Sequence, residues 1–300
     1  MVLHQLETAS IGYPITRRGV SLFPVYVRQH PAHVATGAAA GTRIVEKPDA
    51  TVPTLQVHNP GGSPVLLVAG ETVLGGRQNR VLNVSVLVPA ATVLDVPVSC
   101  VEQGRWNAGH GFSRSDVFAP RRVRRETTRT VHRSIAADGS RHSDQSAVWE
   151  SVRAELARLD AVNPTGSLDG VRARLDRGDQ LARAADGLVR MGPLPGQCGI
   201  VVAHGRRVVA VDVLASPDML ACHWSALVRS HLIDAPEQPV GAPSATAALR
   251  FLHGFAGTRA QITPGVGLGR EHHIDNAKVT GQALVWDDVL VHASAFALAA

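Results

Sequence analysis

Glu71 and Glu102 are two carboxylates that a short run of strand-like sequence can bring together, and Arg77, Gln78, Arg80, Arg105 and Trp106 lie between or beside them. Facing carboxylates suit glycosidic or N-glycosidic hydrolysis, where one donates a proton and the other activates water or stabilises positive charge at the anomeric carbon. The same pair can ligate a divalent metal. Guanidiniums offer planar donor forks that match phosphate or carboxylate oxygens. Gln78 can read an amide or base edge, and Trp106 can stack on an adenine or a ribose. Each group also has an ordinary structural role. Arg80 can hold Glu102, Glu71 can cap loop amides, the arginines can be solvated, and Trp106 can close the end of a sheet.

The elements that must position these groups are strands. Val81–Val88 and Val93–Val101 alternate and are rich in β-branched residues, and a Pro-containing turn at Pro89–Thr92 separates them. Paired antiparallel, they form an apolar face of Leu82, Val84, Val86 and Val88 against Leu94, Val96, Val98 and Cys100. A slip of one residue would turn every side chain over. The expected register sets Leu82 opposite Cys100 and therefore Arg80 opposite Glu102. The loop 71–79 and the segment 102–106 then emerge at one end of the sheet and bring the seven site residues to one mouth. Cys100 falls on the apolar face with no local histidine, so it reads as a buried structural thiol.

GETVLGGRQNRVLN followed by VPVSCVEQGRW resembles the ARG and rhodanese-phosphatase superfamily-associated protein domain, in which ARG denotes ADP-ribosylglycohydrolase. The resemblance extends from about Val20 to the end of the chain. It implies a place in NAD or ADP-ribose metabolism, an ADP-ribose-like anionic small molecule as ligand, and ADP-ribosylglycohydrolases or phosphatase-like proteins as pathway neighbours. It supplies no reaction. The positions that carry it are Gly70, Glu71, Gly75, Gln78, Arg80, Asn83, Cys100, Glu102, Gly104, Arg105 and Trp106.

Composition narrows the remaining classes. The 300 residues are 45% hydrophobic and 18% charged, enough for a sizeable core. No apolar run spans a bilayer and the N-terminus lacks a signal-peptide pattern, so the expectation is a cytoplasmic protein without a membrane partner. Three widely spaced cysteines suggest neither a disulfide framework nor a metal motif. The net charge of +5 is carried almost wholly by arginine. Aromatics make up only 4%, which argues against nucleic acid bound by base stacking.

The rest of the chain reads as one α+β domain over residues 1–300. It has a β-rich N-terminal half, an antiparallel meander or sandwich-like sheet, then helices in the middle and C-terminal strands. Val20–Arg28 reads as an edge strand because of Pro24. Residues 30–42 read as a short helix or a loop, and residues 107–143, crowded with arginine, as a flexible surface loop. Helices are expected over Asp144–Asp160, in broken form over Ser167–Met191, from Ser216 to about Leu232 with Cys222 in or near a buried stripe, and from Ala245 to about His253. Arg270–Asp275, with two adjacent histidines and His292 later, reads as a polar turn; it lacks the spacing of a metal site.

Overall fold

The computed structural model describes residues 3–28, 34–37, 40–107, 109, 111–236 and 238–298. In chain order the first elements are α1 (His4–Glu7), β1 (Ser10–Ile11), β2 (Ile15–Arg17), β3 (Val20–Tyr26), β4 (Ala35–Thr36), β5 (Arg43–Val45) and β6 (Thr54–Asn59). Next come β7 (Val65–Leu67), β8 (Thr72–Leu74), β9 (Arg80–Leu82), β10 (Val86–Val88), β11 (Thr92–Cys100) and β12 (Ser113–Arg114). The helical middle holds α2 (Arg121–Asp138), α3 (Gln145–Arg158), α4 (Gly170–Leu175) and α5 (Gln180–Met191). The hairpin β13 (Gly199–His204) and β14 (Arg207–Leu214) precedes α6 (Pro217–Ile233) and α7 (Ala245–Ala256). The chain closes with β15 (Gln261–Pro264), β16 (Arg270–Asp275), β17 (Val279–Trp286) and β18 (Val289–Ala297). The fold is α+β, with sheets that are antiparallel apart from the short β4–β7 pair. No helix among the described residues is long and apolar enough to cross a membrane.

Contacts group the chain into two compact units: Met1–Ala32 with Arg183–Pro264 and Gly269–Ala300, and His33–Ala182 with Gly265–Leu268. The first unit is built on a nine-stranded sheet of order β1-β3-β13-β14-β18-β17-β16-β15, with β2 also on β3. The last strands therefore join the sheet that the first ones begin. One face is apolar: Val211, Val213, Ala283, Ala293 and Ala295 pack with Leu252 and Phe255 of α7 and Leu6 of α1. β3 is not an edge strand, since β13 lies on one side and β1 and β2 on the other. Pro24 is tolerated because β2 pairs only up to Leu22 and β1 resumes at Val25, so its missing N–H falls in the gap.

The second unit carries a six-stranded sheet, β12-β8-β9-β11-β6-β5, and a three-stranded one, β10-β7-β4. Leu55, Val57, Val96 and Val98 of the first share a core with Leu67, Val86 and Val88 of the second. The expected apolar face survives, but the single long hairpin does not. β11 pairs with β6 over Thr92–Pro97 and with β9 over Val98–Cys100, while β10 leaves to pair with β7. The break is polar. Asn83 donates to the carbonyl of Arg141 and accepts from Ser99, and Ser85 accepts the N–H of Ala69 at 3.0 Å. Those bonds bend the chain between β9 and β10. The register is also two residues away from expectation, Leu82 facing Val98 and Arg80 facing Cys100. A shift of two preserves which face each side chain occupies.

The expected loop over residues 107–143 is corrected by α2, an 18-residue helix. Its buried stripe, Val123, Thr127, Val131 and Ile135, repeats every fourth residue, and Val131 and Ile135 enter the core. Threonine in that stripe and arginine around it hide the period. Gly139, at φ 78°, ends the helix by donating to the carbonyls of Ser134 and Ile135. The other helices follow their caps: Asp144 accepts from Ser146 and Ala147, Ser216 from Met219, and Ser244 from Ala247. α4 and α5 are separated around Gly178, at φ 68°. α7 runs past Gly254 to Ala256, since one glycine costs a helix only about 1 kcal/mol. Cys222 is exposed, contrary to expectation; Leu220, His223 and Trp224 carry the buried surface of α6. Part of the 30–42 segment lies outside the described residues.

Candidate functional site

The loop Gly75–Asn79 joins β8 to β9, and the segment after β11 returns beside it. Gly75 and Gly76 sit at φ 123° and 51°, a backbone that L side chains rarely adopt. A Cβ on Gly76 would also lie 2.1 Å from the Phe112 ring. Arg105 clamps this loop, donating to the carbonyls of Gly76 (2.7 Å) and Gly75 (3.1 Å), to Asn79 Oδ1 (3.3 Å) and to Glu102 Oε2 (2.6 Å). Glu102, 5% exposed, also accepts the N–H of Asn79 at 3.0 Å and the hydroxyl of Thr165 at 2.9 Å. Burial by itself raises the Glu102 pKa, but the bonds from Arg105, Asn79 and Thr165 outweigh it and hold the carboxyl below its ordinary value. Gln78 donates to the Glu102 carbonyl at 3.0 Å. Glu102, Arg105, Gln78, Arg77, Arg80 and Trp106 therefore do gather at one end of the sheet.

Glu71 does not join them. Its carbonyl accepts from Leu82 N–H, at the far end of β9 from Asn79, so roughly 10 Å of strand intervenes. There Glu71 Oε2 accepts the Val68 N–H at 2.8 Å and Oε1 accepts Arg114 at 2.6 Å. The expected mouth fails for this residue because β8 carries the chain from Glu71 to the glycine loop, so the two lie at opposite ends of the β8–β9 pair. Arg80 also does not hold Glu102. It faces Cys100, and the carboxylate within 4 Å of it is that of Glu46, whose Oε1 lies 3.9 Å from Arg80 Nη2, while Glu102 acts on it only at longer range.

Arg80 is fully buried, the largest side chain in that state. Its Nη1 donates to the Asn79 carbonyl at 3.4 Å, while Nε and Nη2 have no hydrogen-bond partner. Burial lowers its pKa, opposed by electrostatic interaction with Cys100, Glu46 and Glu102. Trp106, 43% exposed, lies 5.8 Å from the Arg80 guanidinium carbon and 5.4 Å from that of Arg77. Glu46 accepts the Arg77 N–H through Oε1 at 2.9 Å, and its Oε2 is buried without a partner.

Sequence reasoning missed Glu46, Asn79 and Thr165. Glu46 leaves β5 and Thr165 lies in the Asn163–Gly166 turn after α3, so neither stands near the motif in the chain. The glycines were the usable signal: Gly104 donates to the Thr165 carbonyl at 2.8 Å, and a Cβ there would meet Thr165 Cα at 3.0 Å. Cys100 is the buried thiol expected, with burial raising its pKa.

The polar group of the first unit is a strand and not a turn. β16 sends His272 and His273 to opposite faces. His272 sits opposite Ala283, on the apolar side, and burial, with Arg270 and His273 adding to it, lowers its pKa to about 4. His273 pairs with Glu271 at 2.9 Å on the other face, in a cross-strand row with Gln282, Ser294 and Asp212. Asp212 meets His231 of α6 at 3.0 Å, and His292 stands 3.9 Å from it. Among the described residues, no group of His, Cys, Asp or Glu is arranged to hold a metal ion.

No curated protein matches the chain in comparison, and no solved structure does. A family profile matches residues 8–296 and so takes in the Gly75–Trp106 site and both units. The chain belongs to the ARG and Rhodanese-Phosphatase-superfamily-associated Protein domain family.

Proposed function

We propose that this chain is a cytoplasmic protein that binds an ADP-ribose-like or related phosphorylated nucleotide metabolite at the Gly75–Asn79 end of β9. The observation that carries the proposal is Trp106, an exposed indole with the Arg77 and Arg80 guanidiniums against it. An aromatic face beside unspent donors suits a base or ribose next to phosphate. The ligand class is taken from the expansion of ARG in the family's name as ADP-ribosylglycohydrolase.

Binding is favoured over acid–base hydrolysis or transfer. Glu102 is already engaged by three donors and held ionised, which makes it a poor proton donor near neutral pH. Glu71 is engaged by Arg114 and stands at the other end of β9. A nucleic-acid surface on the arginine-rich segment is disfavoured, because Arg124 is buried, and Arg122 and Arg133 pair with Glu155 and Glu126.

Calorimetric titration with ADP-ribose, ADP and NAD tests the proposal. Saturable binding that Arg77→Ala and Trp106→Ala each weaken by about tenfold or more is expected, given the worth of charge-assisted and stacking contacts. Heat from none of the three, with a folded protein, would sink it.

A further inference from the structure

We infer, on the basis of that proposed reading, that Glu46, Gln78 and Arg80 form a recognition set for the hydroxyl-bearing sugar of the ligand, with its phosphate outside at Arg77. On the glycine loop, the start of β9 and the Glu46 that meets them, four buried polar atoms have no hydrogen-bond partner: Arg80 Nε and Nη2, Glu46 Oε2 and Gln78 Oε1. Buried polar atoms are nearly always paired, and each unpaired one is costly. A histidine or carboxyl in that position escapes by shedding its charge. A guanidinium does not, because its pKa lies too high.

The four atoms are two donors and two acceptors, and this balance selects the ligand group. A bare phosphate satisfies the Arg80 donors but brings acceptors, and negative charge, against Glu46 and the Gln78 carbonyl oxygen. An apolar group satisfies none of them. A vicinal diol matches this balance, since each hydroxyl both donates and accepts. Charge agrees with this division. Arg105 is spent on Glu102, and Arg80 lies 3.9 Å from Glu46, so the excess positive charge is that of Arg77. Glu46 is therefore the residue that distinguishes a ribosyl phosphate from a free polyphosphate.

The test is calorimetric binding of ADP, 2′,3′-dideoxy-ADP and inorganic pyrophosphate to the intact protein and to Glu46→Gln, with melting temperature as the check on folding. The wild-type protein is expected to bind ADP about tenfold or more tightly than either comparison ligand, the effect of losing bonds to a charged group. Glu46→Gln is expected to narrow the gap between ADP and the dideoxy compound. Equal affinity of the wild-type protein for ADP and its dideoxy analogue overturns the sugar assignment while leaving the anion site standing, and needs no variant to fold. Failure of all three ligands to bind overturns the phosphorylated-nucleotide reading itself.

Discussion

Glu102–Arg105 and Glu46–Arg80 are two carboxylate–guanidinium pairs at the same end of one sheet, and they are built differently. Every oxygen of Glu102 accepts a bond, and Arg105 spends its guanidinium on four acceptors. Glu46 and Arg80 lie 3.9 Å apart, with donors and an acceptor left over. The first pair ties the glycine loop to the end of β11 and belongs to the fold. The second adjoins the clamped loop, Glu46 accepting the Arg77 N–H, and is left with hydrogen-bonding capacity that the fold does not use. The contrast matters more than the charges alone, because a buried ion pair is no guide to stability unless its remaining valences are filled.

His272 shows the third way of burying an ionisable group. Neither of its ring nitrogens has a partner, and it remains neutral on the apolar side of the nine-stranded sheet. Arg80 lacks that escape, which is why it stands out among the buried polar groups of the described residues.

The largest expected effect breaks the closed pair. Arg105→Ala leaves Glu102 buried without its cation and frees two loop carbonyls, and urea unfolding should show a loss of about 3–5 kcal/mol. A loss under about 1 kcal/mol would remove the distinction between the two pairs. Next is the neutral histidine. The folded pKa is depressed to about 4, so the unfolded chain takes up the proton first, and stability falls as pH drops from about 6.5 toward 4. The limit is about 3 kcal/mol, and His272→Leu should remove that slope from a pH series of melting temperatures.

Glu71→Gln weakens a similar closed pair and should cost about 2 kcal/mol in the same unfolding assay. It should leave ligand binding unchanged, since Glu71 lies beyond β9 from the site. Glu102 gives a smaller acid effect. Its folded pKa is depressed, so its contribution is present above about pH 4.3 and lost as pH falls through the folded value. Glu102→Gln should therefore flatten stability below that pH. Smallest is Arg77→Ala, a half-buried residue whose side chain rests on Trp106, which should change stability by about 0.5 kcal/mol or less while weakening binding.

Much of this was legible in the chain. The apolar faces of β9 and β11 and the helix starts at Asp144, Ser216 and Ser244 depend on neighbours in sequence, and local chemistry states them. α2 was not legible, because threonines complete its buried stripe and arginines crowd the remainder. The strand partners of β10 and β11 were misassigned for a related reason: period-two alternation specifies a face, but equally apolar strands compete for the edge.

At the site, sequence alone determined which residue types collect around the glycine loop, since Arg77, Gln78, Arg80, Glu102, Arg105 and Trp106 are carried there by two short strands. Tertiary structure decided which of them are spent. Thr165 and Asn79 close Glu102, Arg114 closes Glu71, and Glu46 arrives beside Arg80 from β5. Hydrogen bonds saturate through contacts between residues distant in the chain, so the difference between a structural arginine and a binding one is written in the fold and not in the motif.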